Sequence, residues 1–157
     1  MFGQVMETLL KPTFQHEPMT AFTFESFQAK DMVTVLMSAS NEASQNVELD
    51  DDENTKVHLV ERALARTLGN FEKVTKAAVQ KRELAFDEEP YILVIPNRKI
   101  RLIRCLGLVE TFDKTVGVLH QAWIDELIPL RKRSETIKTL QGRLYNLFHR
   151  LLQTPTR

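Results

Sequence analysis

The sequence predicts a mainly helical bundle with a short β element. The helical part follows from three stretches in which apolar residues recur at steps of three and four. The β element follows from a run of aromatic and β-branched residues between Pro90 and Pro96. With 157 residues, of which 43% are hydrophobic and 27% charged, the chain has the composition of a soluble globular domain.

Charge is distributed unevenly along the chain, although the formal net charge is zero. The first 55 residues hold two basic and ten acidic residues, a net charge of −8, so the remainder carries +8. We therefore divide the chain into an acidic N-terminal arm with a short helix, residues 1–54, and a helical domain, residues 55–157. Such asymmetry is typical of proteins that bind nucleic acid or acidic partners, and it is equally compatible with a solvated charged surface.

The N-terminal arm contains only weak structural signals. Residues 21–27 alternate as a strand would, and residues 30–41 have the apolar content of a short helix. The polar stretch 41–55 is predicted to be a loop, and its acidic residues lack the spacing of a calcium-binding loop.

The first long helix is predicted from an N-cap at Asn54 or Thr55 to about Ala85. Its apolar residues are Val57, Val60, Leu64, Leu68, Phe71, Val74 and Ala78. Its outer face carries Arg62, Arg66, Lys73, Lys76, Lys81 and Arg82. This spacing predicts an amphipathic helix with one apolar face against the core and one basic face in solvent.

The stretch after this helix is predicted to be extended over 91–95, between its two prolines. Residues 98–104 carry the cations Arg98, Lys99, Arg101 and Arg104 and are compatible with either a strand or a helix. In a strand, Lys99, Arg101 and Ile103 share one face. In a helix, the three arginines lie on one side at a spacing of three.

Two further helices follow, at 109–123 and from about Ser134 to 151, both with apolar steps of three and four. Pro129 is predicted to end or kink a helix near Leu127. The basic residues Arg131, Lys132 and Arg133 fall in the connection between the two helices.

No catalytic, cofactor or metal site is predicted. The four histidines do not have metal-ligand spacing, and there is no glycine-rich phosphate loop. Cys105 is read as a buried structural thiol, although Arg101 and Arg104 could lower its pKa. A single cysteine is typical of a cytoplasmic protein. The sequence contains no run of eighteen apolar residues, so no membrane span is predicted. The chain is therefore expected not to be an enzyme and to have no membrane partner.

The basic cluster at 98–104 is the best functional signal, because four cations so close together repel one another unless an anion neutralises them. DNA phosphates would do so, and arginine can also read guanine in the major groove. The alternative is internal pairing, with Asp87, Glu88 and Glu89 or with the acidic residues at 50–53. The second cluster, Arg131 to Arg133, is compatible with a contact to the phosphate backbone or with a solvated turn.

A loose pattern runs over roughly residues 50–150. Pro90-Tyr91 precedes residues 106–118, which carry an acidic pair around an aromatic residue, and His120 follows. The pattern closes with Gly142-Arg143-Leu144 and Leu147-Phe148. It resembles a family of proteins encoded by conjugative plasmids and integrating conjugative elements, which includes a plasmid transcriptional activator.

The resemblance implies a ribbon-helix-helix DNA-binding homodimer that switches on conjugative-transfer genes. On this template the element spans about 98–152: a ribbon at 98–104, a first helix at 106–123 and a second helix from residue 125 onward. The ribbon strand pairs with its mate across a two-fold axis and enters the major groove. Lys99, Arg101 and Ile103 then point to DNA, and Arg104 reaches phosphate.

We therefore expect a sequence-specific DNA-binding transcriptional regulator, acting as an activator. Its expected partners are double-stranded DNA, a second copy of the chain, and RNA polymerase or another regulator contacted through the acidic N-terminal half. Its expected DNA-binding residues are Arg98, Lys99, Arg101, Ile103, Arg104, Arg131, Lys132 and Arg133. The alternative is a non-catalytic helical scaffold of a conjugative element that binds protein and not DNA.

Overall fold

The computed structural model describes residues 17–40, 42–81 and 89–152. Over these ranges the chain forms two strands and five helices. In chain order they are β1 (Met19–Phe24), α1 (Phe27–Ala39), α2 (Glu42–Gln45), α3 (Asp51–Lys81), β2 (Tyr91–Pro96), α4 (Ile100–Ile124) and α5 (Leu130–Leu152). The fold is mainly helical with a two-stranded antiparallel sheet, as the apolar periodicity predicts.

Helix α4 lies at the centre of the fold, in contact with α1, α3 and α5 and with strand β1. Of its predicted apolar positions, Val109, Phe112 and Leu119 are fully buried, whereas Trp123 at the end of the helix is partly exposed. Burial of a side chain of this size contributes roughly 1.5–3 kcal/mol, so α4 anchors the core. None of the described helices contains an apolar stretch of the length that a membrane span requires.

The sheet covers one end of this core. Met19 pairs with Pro96 and Phe24 with Tyr91, and the side chains alternate between two faces. Phe22 and Phe24 are buried against the helices, whereas Ile92 on the opposite face is exposed. The weak strand signal at 21–27 therefore belongs to a strand at 19–24, and α1 begins at residue 27.

Helix α3 begins at Asp51, inside the stretch predicted to be a loop. The backbone N–H of Glu53 donates to the Asp50 carboxylate at 2.8 Å, and the Asp50 N–H donates to Glu53 at 3.0 Å. This reciprocal pair is a capping box, and it satisfies two donors at the start of the helix. The loop prediction for 41–55 also missed the short helix α2. The predicted end of the long helix, at residue 85, lies outside the described residues.

The ribbon predicted at 98–104 is wrong, because the chain turns at residues 97–98 and α4 begins at Ile100. The Lys99 N–H donates to the Pro96 carbonyl at 3.0 Å, and the Ile103 N–H to the Lys99 carbonyl at 2.9 Å. The helix places Leu102, Cys105 and Leu106 on one buried face. A strand would have separated these residues onto two faces, so burial of apolar surface favours the helix.

The connection between α4 and α5 is shorter than predicted. Helix α4 ends at Ile124, and α5 begins at Leu130, directly after Pro129. The basic residues Arg131, Lys132 and Arg133 therefore lie in the first turn of α5 and not in a loop before it. The second helix of the template consequently starts five residues later than residue 125.

Candidate nucleic-acid interface

Arg101 is the most deeply held of the predicted DNA-binding residues. Only 7% of its surface is exposed. Its two terminal nitrogens donate to the two carboxylate oxygens of Glu53, at 2.7 and 2.9 Å. The guanidinium also donates to the carbonyls of Val47, Glu48 and Leu151, at 3.2, 2.9 and 3.1 Å. Arg101 thus joins the start of α3, the preceding segment and the end of α5.

The contact with Arg101 changes the pKa of the Glu53 carboxylate. The hydrogen bond from Arg101 lowers the pKa of Glu53 below its ordinary value of 4.5, against the opposing effect of burial. Glu53 is also the acceptor of the Asp50 N–H in the capping box. One side chain therefore starts helix α3 and neutralises a buried cation.

The other three cations of the cluster are also paired within the chain. Arg98 contacts Glu17, and Arg104 contacts Glu61 at 3.4 Å. Lys99 donates to Gln45 at 3.0 Å and lies 3.6 Å from Glu42. Ile103 packs partly buried against the core. The sequence left internal pairing open as the alternative to DNA contact, and the four cations are paired internally in the structure. Glu53, from the acidic stretch 50–53, is the partner of Arg101. Of the other acidic residues named as possible partners, Asp87 and Glu88 lie outside the described residues. DNA contact by the cluster stays a prediction that this geometry does not favour.

The three basic residues at the start of α5 point in different directions. Arg131 pairs with Glu135 one turn later, at 3.1 Å. The Arg133 guanidinium lies 5.0 Å from the centre of the Trp123 ring, a cation–π geometry that ties α5 to the end of α4. Lys132 faces a groove between α3 and α5.

This α3–α5 groove is a polar depression of about 320 Å³. Its lining consists of Ala63, Arg66 and Thr67 from α3 and Lys132, Glu135, Thr136, Thr139, Leu140 and Arg143 from α5. The lining therefore contains three cations and one carboxylate, and this carboxylate, Glu135, already pairs with Arg131. In the part of the chain that the structure describes, no ion pair joins Arg66, Lys132 or Arg143 to an acidic residue. The groove consequently carries an unbalanced positive charge.

Arg66 and Arg143 were missed as site residues, although the sequence contains a signal for the groove. The lining residues Lys132, Thr136, Thr139 and Arg143 recur at steps of four, three and four. They form a polar stripe beside the apolar face of α5. The stripe predicts a shared face, but only the tertiary fold places Arg66 of α3 opposite it.

No reactive thiol or metal centre accompanies the groove among the residues that the structure describes. Burial raises the pKa of the Cys105 thiol to about 12, although the charges of Arg101 and Arg104 act in the opposite direction. Cys105 is therefore a structural residue of the core. Among the described residues, no group of three histidine, cysteine, aspartate or glutamate side chains could hold a metal ion.

The fold and the groove together define a helical-bundle protein with a cationic surface groove. No family model and no curated protein matches the chain. A solved structure to which it is similar is the selenomethionine-containing AcaB from uropathogenic E. coli. The two share 15% sequence identity, with a TM-score of 0.48 over 87% of this chain and 78% of that chain.

Proposed function

We propose that the protein is a non-catalytic regulator that binds double-stranded DNA through the α3–α5 groove. The observation that carries this proposal is the unbalanced charge of Arg66, Lys132 and Arg143 in a chain whose formal net charge is zero. The carboxylate in the groove lining, that of Glu135, is paired with Arg131. An external polyanion is the natural complement of such a surface.

The chemistry of the groove suits a phosphate backbone. Guanidinium groups donate two parallel hydrogen bonds to phosphate oxygens, and Lys132 adds a point charge. The hydroxyls of Thr136 and Thr139 are further donors of the kind that contact phosphate and fix the orientation of a duplex. Counterion release from DNA would supply the affinity.

The finer form of the proposal is an activator of conjugative-transfer genes that acts as a ribbon-helix-helix-like homodimer in the cytoplasm. It is supported by the resemblance of residues 50–150 to the conjugative-element family, which includes the activator AcaB. The strand of that template moves from 98–104 to β2, which keeps the order strand, helix, helix with α4 and α5. RNA polymerase or another regulator would meet the exposed acidic residues near the start of α3, such as Asp51 and Asp52.

Replacing the three groove cations tests DNA binding directly. The triple variant Arg66→Ala, Lys132→Ala, Arg143→Ala is expected to lower the affinity for DNA about 100-fold, from about 1 kcal/mol for each cation removed. The slope of log K against log salt should fall by about 0.9 for each phosphate that the variant no longer neutralises. A mobility-shift or fluorescence-anisotropy titration over a salt series, on DNA that co-purifies with the protein, measures both.

The matched control removes the same charge from other exposed positions. The variant Lys114→Ala, Lys138→Ala, Arg150→Ala changes the net charge equally and leaves the groove intact. It should retain most of the affinity. If both triple variants lost affinity for DNA equally, the loss would reflect net charge and not the groove. If the groove variant bound DNA as tightly as the wild type, the groove would not be the DNA-binding site.

A helical scaffold that binds protein alone is the second candidate. The observation that favours it is the internal pairing of Arg98, Lys99, Arg101 and Arg104, the strongest basic cluster in the sequence. The scaffold predicts that the protein retains no DNA fragment even at low salt. Retention at low salt that disappears in the groove variant would decide for the regulator.

A further inference from the structure

A cleft lies between helices α1 and α5, both of which pack against α4. It has a volume of about 230 Å³. The described residues that line it are Val35, Leu36 and the C-cap Ser40 from α1, and Tyr145, Phe148, His149 and Leu152 from α5. Protein interiors leave few voids larger than a water molecule, so an apolar depression of this size beside the core is a candidate binding site.

One end of this α1–α5 cleft, where Ser40 and Leu152 lie, is fixed by hydrogen bonds through the short helix α2. The side-chain amide of Gln45 donates to the Ser40 hydroxyl at 2.6 Å. The Ser44 hydroxyl donates to the Leu152 carbonyl at 2.8 Å. The ends of α1 and α5 are therefore tied to the same helical turn, which sets the distance between them. A cleft that is already formed costs a ligand little ordering free energy.

The size and the walls of the cleft favour a single ring. Three of its seven lining residues, all on α5, carry rings: Tyr145, Phe148 and His149. Such rings make offset or edge-to-face contacts with another aromatic ring. An engineered apolar cavity of about 150 Å³ binds benzene. The 230 Å³ of this cleft therefore suit one ring with a short substituent. A partner helix would instead need a groove long enough for anchors on successive turns.

Two hydroxyl groups give the cleft its polar character. Burial raises the pKa of Tyr145, and the negative charge of Asp31 raises it further, so the phenol stays protonated and can donate at neutral pH. Among the described residues, no acceptor takes the hydroxyl proton of Tyr145 or of Ser40. No lysine, arginine, aspartate or glutamate is among the described lining residues. A charged ligand would therefore lose hydration without gaining the counter-charge of such a side chain.

We propose that the α1–α5 cleft binds an uncharged aromatic molecule of one ring that carries a hydrogen-bonding group, of the class of simple phenols. The ring lies against Phe148 between the two helices, and its polar group accepts a hydrogen bond from the Tyr145 hydroxyl. This inference is independent of the proposed function, because the described residues that line the cleft are all different from those that line the α3–α5 groove.

Three small molecules test the site and the ligand class. They are para-cresol, toluene, which lacks the hydroxyl, and para-hydroxybenzoate, which is charged. An NMR titration of the full chain follows the methyl groups of Val35, Leu36 and Leu152. We expect para-cresol to shift these signals saturably, with a Kd of about 0.1–1 mM, as for a ligand of so few atoms. Toluene should bind about fivefold more weakly, because it lacks one hydrogen bond. Para-hydroxybenzoate should not saturate the signals over the same range.

Two variants locate the ligand within the cleft. Val35→Trp fills the cleft from a position that is 43% exposed, and it should lower the affinity for para-cresol at least about tenfold. The matched control Leu59→Trp places the same side chain at a position of α3 that is 56% exposed and outside the cleft, and it should bind like the wild type. Tyr145→Phe keeps the ring, so it should weaken para-cresol about fivefold and leave toluene unchanged.

The site would be overturned if para-cresol gave no saturable shifts of the cleft methyl groups, or if Val35→Trp bound it as tightly as the wild type. If Val35→Trp does not fold, as judged by circular dichroism, Tyr145→Phe decides. An unchanged ratio of para-cresol to toluene affinity in Tyr145→Phe would contradict the hydrogen bond on which the ligand class rests. Saturation by para-hydroxybenzoate at the concentrations that suffice for para-cresol would contradict the choice of an uncharged ligand.

Discussion

The variant Arg101→Ala is expected to lower the free energy of unfolding by about 3–5 kcal/mol, the typical cost of breaking a buried ion pair by removing one partner. The change leaves Glu53 without its cation, and the side chain of Glu53 is only 19% exposed. It also leaves the carbonyls of Val47, Glu48 and Leu151 without their donor. Urea unfolding followed by circular dichroism measures the decrease.

Arg98→Ala is the control for this prediction. Arg98 pairs with Glu17 on the surface, where an ion pair contributes about 0–1 kcal/mol. Its removal should therefore change stability little. If Arg101→Ala weakened DNA binding while leaving the unfolding midpoint in place, Arg101 would belong to the interface after all.

The same ion pair makes stability depend on pH in a defined direction. Because the pKa of Glu53 is lowered in the folded protein, the unfolded chain takes up a proton first as the pH falls. The stabilisation is present above the ordinary value of 4.5 and is lost as the pH falls through the lower folded value. The difference in free energy of unfolding between the wild type and Glu53→Gln should therefore shrink as the pH falls below 4.5. Urea unfolding at a series of pH values measures it, and a difference that does not change with pH would contradict this assignment.

The variant Asp113→Ala is expected to show the second large effect, a decrease of about 2–4 kcal/mol in the free energy of unfolding. The change would leave two backbone donors unpaired where β1 passes into α1. The Asp113 carboxylate accepts the backbone N–H groups of Glu25 and Ser26, both at 2.8 Å. Ser26 in turn caps α1, with its hydroxyl accepting the Ala29 N–H at 3.1 Å. A buried donor without a partner costs about 1–3 kcal/mol, and the Glu25 donor, which is only partly buried, is expected at the low end of that range. Thermal and urea unfolding measure the cost.

Glu110→Ala and Asp113→Asn calibrate the prediction at Asp113. Glu110 accepts an exposed N–H from Thr23, which water can satisfy, so its removal should have a small effect. The amide of Asp113→Asn retains one acceptor oxygen and should fall between alanine and the wild type. Equal stability of the alanine and wild-type proteins would show that Asp113 does not hold β1 and α1 against α4.

The helices other than α2, and the strand at 91–96, could be predicted from the sequence because their signals are local. Apolar residues at steps of three and four, as at Val109, Phe112 and Leu119, require a helix to share one face. Two prolines around Tyr91 to Ile95 leave a short extended segment. The polar stripe from Lys132 to Arg143 is local in the same sense, and it was already present in the sequence as one half of a site.

The tertiary structure alone decided the contacts between residues far apart in the chain. Whether residues 98–104 were strand or helix depended on which surface Leu102 and Leu106 could bury, and the core around α4 supplied it. The ion pair of Arg101 with Glu53, 48 positions earlier, exists because the fold brings the two side chains together. Sequence spacing places charges along one element, but their free energy depends on distance and burial, which exist only once the elements have packed.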